Sequence, residues 1–481
     1  MSLIDATKFY IDGQWVSPVT PNPLAVINPS NEQAYAEISL GSQADADAAV
    51  AAAKQAFKSW GLASKADRLE VLNNLLHAYN ARIDEMGEVI SQEMGAPMDW
   101  ARNVQATCGN HHIEYFIKAL EEQEEEWPLR AGEEDQMMVR EPIGVAALIT
   151  PWNWPINQVS LKVGAAMAAG CTMVLKPSEI APMSSMLFAE MIDQAGVPAG
   201  VFNLVNGDGP TVGAHLSQHK DVDMVSFTGS TRAGTAVSKA AADTVKRVAL
   251  ELGGKGPNIV FADVPNLEAS VKQGVAGVMN NTGQSCNAPT RMLVERSVYE
   301  QAKEIAAAKA NATAVDVAEK QGKHIGPLVS QMQFDKVQSL IGRGINEGAE
   351  LIAGGPGLPE HLSAGYFAKP TVFANVTPQM TIFREEIFGP VLAMIPFDTE
   401  EEAIELANDT DYGLAAYVQT GDPQRARRVT RALRNGMVLI NGAGRAGGAP
   451  FGGYKMSGNG REGGAMGIED FQEVKAVAGW Q

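Results

Sequence analysis

From residue 145 to 250 the chain alternates short, wholly apolar runs with longer helical patterns, and this rhythm restricts the fold more than any other feature. The runs at 145–149, 172–175, 201–205, 222–227 and 246–250 are too short for core helices and are bounded by turn residues, so they read as buried strands. Helical patterns cover 157–169, 184–195 and the stretch from Gly229 to Asp243. Strands alternating with helices of this length predict an α/β fold built on a doubly wound parallel sheet. A second α/β series opens with a strand at 258–261 and runs to about residue 435. Ligands of such sheets sit beyond the carboxyl ends of the strands, so the turns there carry the functional weight.

Ahead of this region the chain reads as helical after a short β-rich start. Ser42 and Asp45 have capping-box spacing, and Val50, Ala53, Phe57 and Trp60 follow at helical intervals. Leu69, Leu72, Leu75 and Tyr79 repeat the period, as do Val104, Cys108, His111 and Tyr115, which gives Cys108 a packing role. The acidic run Glu121, Glu122, Glu124, Glu125 and Glu126 reads as a solvated face, with strand character following at 136–139. Beyond a glycine-dense segment at 441–467, an apolar strand at 474–480 is expected to pair with a neighbouring subunit.

With 38 Lys and Arg against 56 Asp and Glu, the formal charge is −18. Nucleic acid and anionic lipid bind through clustered cations, so neither is expected as a partner. Cys108, Cys171 and Cys286 form no CxxC pair, which argues against a thiolate metal site or a disulfide framework and suits a reducing cytoplasm. The first residues carry Asp5 and Asp12 without an apolar run, unlike a signal peptide, and no apolar stretch is long enough to span a bilayer.

Four stretches carry chemistry. Cys286 lies among small polar residues between a helix and a strand, off any periodic apolar face; such a site exposes a thiol to backbone N–H groups, although a plain loop cysteine has the same surroundings. Glu251 ends an apolar strand and precedes two glycines; burial there raises a carboxyl towards the range of a general base, and a structural carboxylate bonded in the glycine turn is the other reading. Gly229 and Ser230 join a strand to a helix whose free N–H groups favour an anion, or Ser230 is simply a cap. Asn153, in a turn fixed by Pro151 and Pro155, is an oxyanion donor or a stabiliser of its own turn.

Taken together, PWNWP (151–155), LKPSE (175–179), FTGST (227–231), LELGGK (250–255), GQSC (283–286), EEIFGPV (385–391) and PFGGYKMSG (450–458) resemble the aldehyde dehydrogenase superfamily in order and spacing, over about residues 8 to 480. The resemblance implies a Rossmann-like cofactor domain (1–122 and 141–252), a second α/β catalytic domain (253–454) and a small β oligomerisation extension (123–140 and 468–481) in a homodimer or homotetramer. It implies that Cys286 attacks the aldehyde, that Asn153 and the Cys286 N–H hold the oxyanion, and that Glu251 activates water to hydrolyse the thioester. Lys162 and Glu462 match a pair that passes protons to solvent; an ion pair fixing two loops is an equal reading. NAD is the implied cofactor, with Ile149, Trp152, Lys176, Ser178, Glu179, Gly209, Phe227, Gly229, Ser230, Leu252, Glu386 and Phe388 at its site. A carboxylate at Glu179, beside the ribose, accepts from a hydroxyl and repels a phosphate, which favours NAD over NADP. Retention of Glu251 points to water rather than coenzyme A as acyl acceptor.

By the same resemblance Trp154, Leu161, Ser285, Asn287 and Phe451 line the aldehyde tunnel, and Leu161, in place of a bulkier aromatic, suggests a wide one. Arg445, alone in a glycine-rich loop, either meets an acidic or polar group of the substrate or faces solvent. Two other classes fit less well. A structural member of the fold would lack Cys286, Glu251 or the cofactor residues. A thiol hydrolase needs a histidine beside Cys286, and His215, His219 and His324 lie in unrelated segments.

Overall fold

The computed structural model describes residues 3–480. Its largest sheet has eight strands in the order Gly458–Asn459, Arg247–Glu251, Met224–Thr228, Val145–Ile149, Thr172–Lys176, Phe202–Leu204, Phe9–Ile11, Gln14–Val16. The five strands from Arg247–Glu251 to Phe202–Leu204 run parallel; Gly458–Asn459 and Phe9–Ile11 are antiparallel to them at either side, and Gln14–Val16 is antiparallel to Phe9–Ile11. The parallel strands coincide with the apolar runs to within one or two residues at each end, and four of them are buried throughout. Alternation decides the faces: Ala146 and Leu148 join one apolar core, while Val145, Ala147 and Ile149 join the core on the opposite side.

The second sheet has seven strands, in the order Glu350–Ala353, Thr371–Ala374, Val391–Phe397, Arg291–Glu295, Pro257–Val260, Ala415–Gln419, Met437–Ile440, all parallel except the first. It too is covered on both faces. The chain is therefore α/β, as its rhythm predicts.

The first helix, Gln43–Trp60, starts at the expected capping box of Ser42 and Asp45, and Lys65–Ala81 starts at a second one, Ser64 with Asp67. Helix Pro155–Ala169 has proline in its first turn and stops at Gly170, whose φ of +88° suits glycine. Cys108 is partly buried and Cys171 buried, both as free thiols. In the acidic run, Glu121, Glu122, Glu124 and Glu126 are exposed, but Glu125 pairs with the buried Arg68.

The C-terminal strand finds a partner for one of its edges within its own chain. Gln472–Ala478 pairs antiparallel with Gln136–Pro142 of its own chain, which pairs in turn with Glu126–Pro128. A strand pattern demands an edge without specifying whose, and here the chain supplies it. The outer edge of Gln472–Ala478 pairs with no strand among the described residues. No helix among them is long and apolar enough to cross a membrane.

Candidate active site

In the eight-stranded sheet the chain crosses from one side of Val145–Ile149 to the other, which opens a crevice between the ends of that strand and Met224–Thr228. A cavity of about 210 Å³ occupies it. Trp152 and Asn153 enter from the turn after the first strand, Gly229 and Ser230 from the turn after the second, and Leu252 from the end of Arg247–Glu251. Cys286, Glu386 and Phe388 close it from the other sheet's side. Five of the seven sequence motifs thus contribute eight residues to one space.

Ser230 caps helix Thr231–Ala242, its side chain accepting from the N–H of Ala233. Gly229 has no room for a side chain, since a Cβ would come within 2.6 Å of the Phe227 ring. Glu386 accepts from the N–H of Gly254 at 2.8 Å. Phe388, at a φ of +59°, sets its ring edge-on to Trp152 with centroids 5.3 Å apart.

Cys286 is partly exposed rather than open. Burial, followed by the nearby Glu251 and Glu386, pushes its thiol well above the usual range, and its own backbone N–H opposes this only weakly. The fold thus surrounds the sulfur with burial and carboxylates that favour the thiol, where the sequence suggests an exposed, thiolate-favouring site. Asn153 donates one of its two amide N–H bonds to the carbonyl of Gln284 at 3.0 Å, which aims the side chain at the cysteine loop and leaves the second free for an oxyanion.

Glu251 is 4% exposed, and neither carboxylate oxygen has a hydrogen-bond partner. Burial holds its carboxyl far above the ordinary range; the charge of Glu462 adds to this, and Lys162 and Arg461 oppose it. A carboxylate bonded within the glycine turn is thereby ruled out. Lys162, itself buried, bonds both Glu462 and the Ser226 hydroxyl, the latter at 2.9 Å.

Other expected residues lie outside this cavity. Lys176 ends its strand and donates to the carbonyls of Pro177 and Gly207, with Glu179 at 3.4 Å. Ser178 accepts from the N–H of Ile180, and Gly209 opens the helical turn Gly209–Gly213. Ile149 and Phe227 are buried at their strand ends. Trp154, Ser285 and Asn287 line a second cavity of about 370 Å³ together with Trp100, Val104 and Tyr417. The Trp154 indole donates to Ser285 at 2.8 Å. Leu161 is buried near Gly463. Arg445 stacks over the Phe451 ring at 5.3 Å and donates to the Ala449 carbonyl. His215 and His219 sit against Asp47, and His324 against the Val317 carbonyl, so none of the three serves the cysteine.

Sequence reasoning missed Gln158, Gln333 and Lys336, which line the crevice cavity. Gln333 donates to the Phe388 carbonyl at 2.7 Å. Both Gln333 and Lys336 come from helix Gln331–Asn346, whose ordinary amphipathic pattern carries no local signal. The buried Gln105 and Asn281 behind the cysteine loop were also missed; an Asn ahead of a glycine hints at left-handed backbone.

Residues 15–477 match the model of the aldehyde dehydrogenase family. The chain is 53% identical to a 3-succinoylsemialdehyde-pyridine dehydrogenase of a Pseudomonas species, over 99% of both chains. It is similar in structure to an aldehyde dehydrogenase of Bartonella henselae, at 54% identity and a TM-score of 0.98, covering 99% of this chain and 100% of that one. It is also similar to a variant of aldehyde dehydrogenase C of Pseudomonas syringae solved with NAD+ and octanal, at 46% identity and a TM-score of 0.97, covering 99% and 97%. Sequence, relatives and architecture agree along almost the whole length, and the chain belongs to the aldehyde dehydrogenase family.

Proposed function

We propose that this chain oxidises an aldehyde to the carboxylic acid through a thioester on Cys286, a bound NAD accepting the hydride. One observation carries the reading: a cysteine, an amide donor and a glycine-and-helix turn share one crevice cavity, and the strand leading into it ends in a buried carboxylate without hydrogen-bond partners. The residues fit a dinucleotide. Gly229 brings no side chain to the start of helix Thr231–Ala242, where an anion is favoured, and Lys176 with Glu179 stands further along the same carboxyl edge.

The Cys286 sulfur adds to the aldehyde carbon, its proton passing to the Glu251 carboxylate as the C–S bond forms. The Asn153 amide and the Cys286 N–H hold the oxygen as it gains charge, an interaction whose loss costs about 2.7–4 kcal/mol of barrier. Hydride loss from that carbon leaves the thioester. Glu251 takes a proton from water, which attacks the thioester and releases the acid and the free thiol. Lys162 and Glu462 pass the proton outward.

The domain roles follow: 1–122 and 141–252 bind the cofactor, 253–454 supply the nucleophile, and 123–140 with 468–481 join subunits into a homodimer or homotetramer. The last is supported by the unpaired outer edge of Gln472–Ala478. Three free cysteines suit a cytoplasmic setting. A semialdehyde substrate is favoured by the Arg445 guanidinium, which spends one N–H on Ala449 and pairs with no carboxylate among the described residues. The test is absorbance of NADH with a panel of aliphatic, aromatic and acid-bearing aldehydes. Formation with wild type and none with Cys286→Ala is expected; equal rates from the two would sink the reading.

A further inference from the structure

Three consecutive residues ahead of Cys286 lie in the left-handed region: Asn281 at a φ of +53°, Thr282 at +55° and Gly283 at +71°. Threonine adopts that backbone at a cost, so something must hold it. The Thr282 hydroxyl donates to the Gly326 carbonyl at 3.0 Å, but most of the hold comes from buried amides.

Gln105 is fully buried at the end of the π-helical turn Ala101–Gln105. Its amide nitrogen donates to the Asn281 side-chain oxygen at 2.7 Å. The Asn281 amide nitrogen then donates to two carbonyls, those of Asn153 at 2.9 Å and Gln284 at 3.2 Å. The Gln284 carbonyl is the one that accepts from Asn153. Orientation is forced along this chain. Asn281 must turn its nitrogen to the two carbonyls, so its oxygen faces Gln105, and Gln105 must present its nitrogen. The oxygen of Gln105 is left buried and unpartnered, a cost tolerated for the donor on the other side.

The π-helical turn also forms the wall of the larger cavity. Trp100, just before it, and Val104, within it, line that space, and Trp100 stands edge-on to Trp154, whose indole holds Ser285. One helical turn therefore touches both the cavity beside the cysteine and the amides behind it.

We propose that Gln105 is a positioning residue for the thioester chemistry: through Asn281 it holds the left-handed approach to Cys286 and the carbonyl that aims Asn153. This rests on the role proposed above for Cys286. Its reach is long, from one end of a helix in the first third of the chain to the nucleophile loop, with no contact to the reacting atoms.

The Gln105→Leu variant removes the donor and keeps the bulk. Its kcat should fall about 100-fold, as misplacements on the scale of an ångström do, with the KM for NAD unchanged. Alkylation of Cys286 by iodoacetamide, measured without aldehyde or cofactor, should speed up as the loop loosens. The Gln105→Glu variant adds a pH signature. Its protonated carboxyl donates to Asn281, and its ionised form does not, so its activity relative to wild type should fall as pH rises. A folded Gln105→Leu variant with wild-type kcat and alkylation rate overturns the proposal, as does a Gln105→Glu variant that tracks wild type across pH. If Gln105→Leu does not fold, the Gln105→Glu profile decides. If wild type reduces NAD with no aldehyde, the functional reading fails, and the alkylation comparison still decides this one.

Discussion

Phe451 and Glu462 exchange both backbone hydrogen bonds, the N–H of Phe451 donating at 2.8 Å and that of Glu462 at 2.7 Å. A ring expected on the tunnel wall is thus tied to the carboxylate that pairs with Lys162. The Phe451 backbone and the buried Lys162–Glu462 pair are therefore mechanically one unit.

Replacing Lys162 with Met strands the Glu462 carboxylate. Removing one partner of a buried pair costs about 3–5 kcal/mol, to be read by denaturant unfolding. Lys162 also holds the Glu251 carboxyl down against burial. Without it that carboxyl ionises only at still higher pH, so the rising limb of the deacylation rate should move to more alkaline pH. An unmoved limb would show that the pair is structural only.

A Glu251→Gln variant should keep a burst of NADH equal to the enzyme concentration while its steady-state rate drops about 100-fold or more, the scale of a lost general base. The sign of the pH effect follows from the raised carboxyl. The group is protonated just above the ordinary carboxylate range, and its basic form fills as pH rises. Wild-type turnover should therefore climb with pH, and this climb should be absent in the variant. Stopped-flow absorbance separates burst from turnover.

Glu179 is two-thirds buried as a side chain and stands 3.4 Å from the Lys176 ammonium. Glu179→Gln removes the negative charge and leaves the cation. The ratio of kcat/KM for NADP to that for NAD should rise on the order of tenfold, equivalent to about 1.4 kcal/mol. A ratio already favouring NADP in wild type would overturn the assignment of the carboxylate.

Arg445→Ala should raise the KM for acid-bearing aldehydes and leave that for aliphatic ones nearly unchanged. An unaltered KM for both assigns the guanidinium to the Phe451 ring and solvent alone.

Much of this molecule was legible in its sequence because strands buried on both faces leave an unmistakable mark: Val145–Ile149 has no polar residue to confuse the period. Cys286 and Glu251 were legible because each breaks the local pattern, a thiol off any apolar stripe and a carboxylate on one. The environment of Cys286 was not, because it is set by burial first and then by the charges of Glu251 and Glu386, distant in sequence and near in space. Gln105 was hidden for a different reason. A buried polar residue on a helix reads as an ordinary exposed one until the fold reveals what it faces. The intrachain partner of the C-terminal strand was not legible because hydrogen-bonding demand at a sheet edge is anonymous.

The short strand Gly458–Asn459 lies beside Arg247–Glu251 at the margin of the larger sheet. During synthesis, the strand that ends in Glu251 emerges long before its outer neighbour exists. The nascent cofactor sheet must therefore wait on the ribosome with one raw margin, prone to wrong partners, until the tail is made and closes it. Shortening the gene from its 3′ end past that strand would leave the flaw permanent.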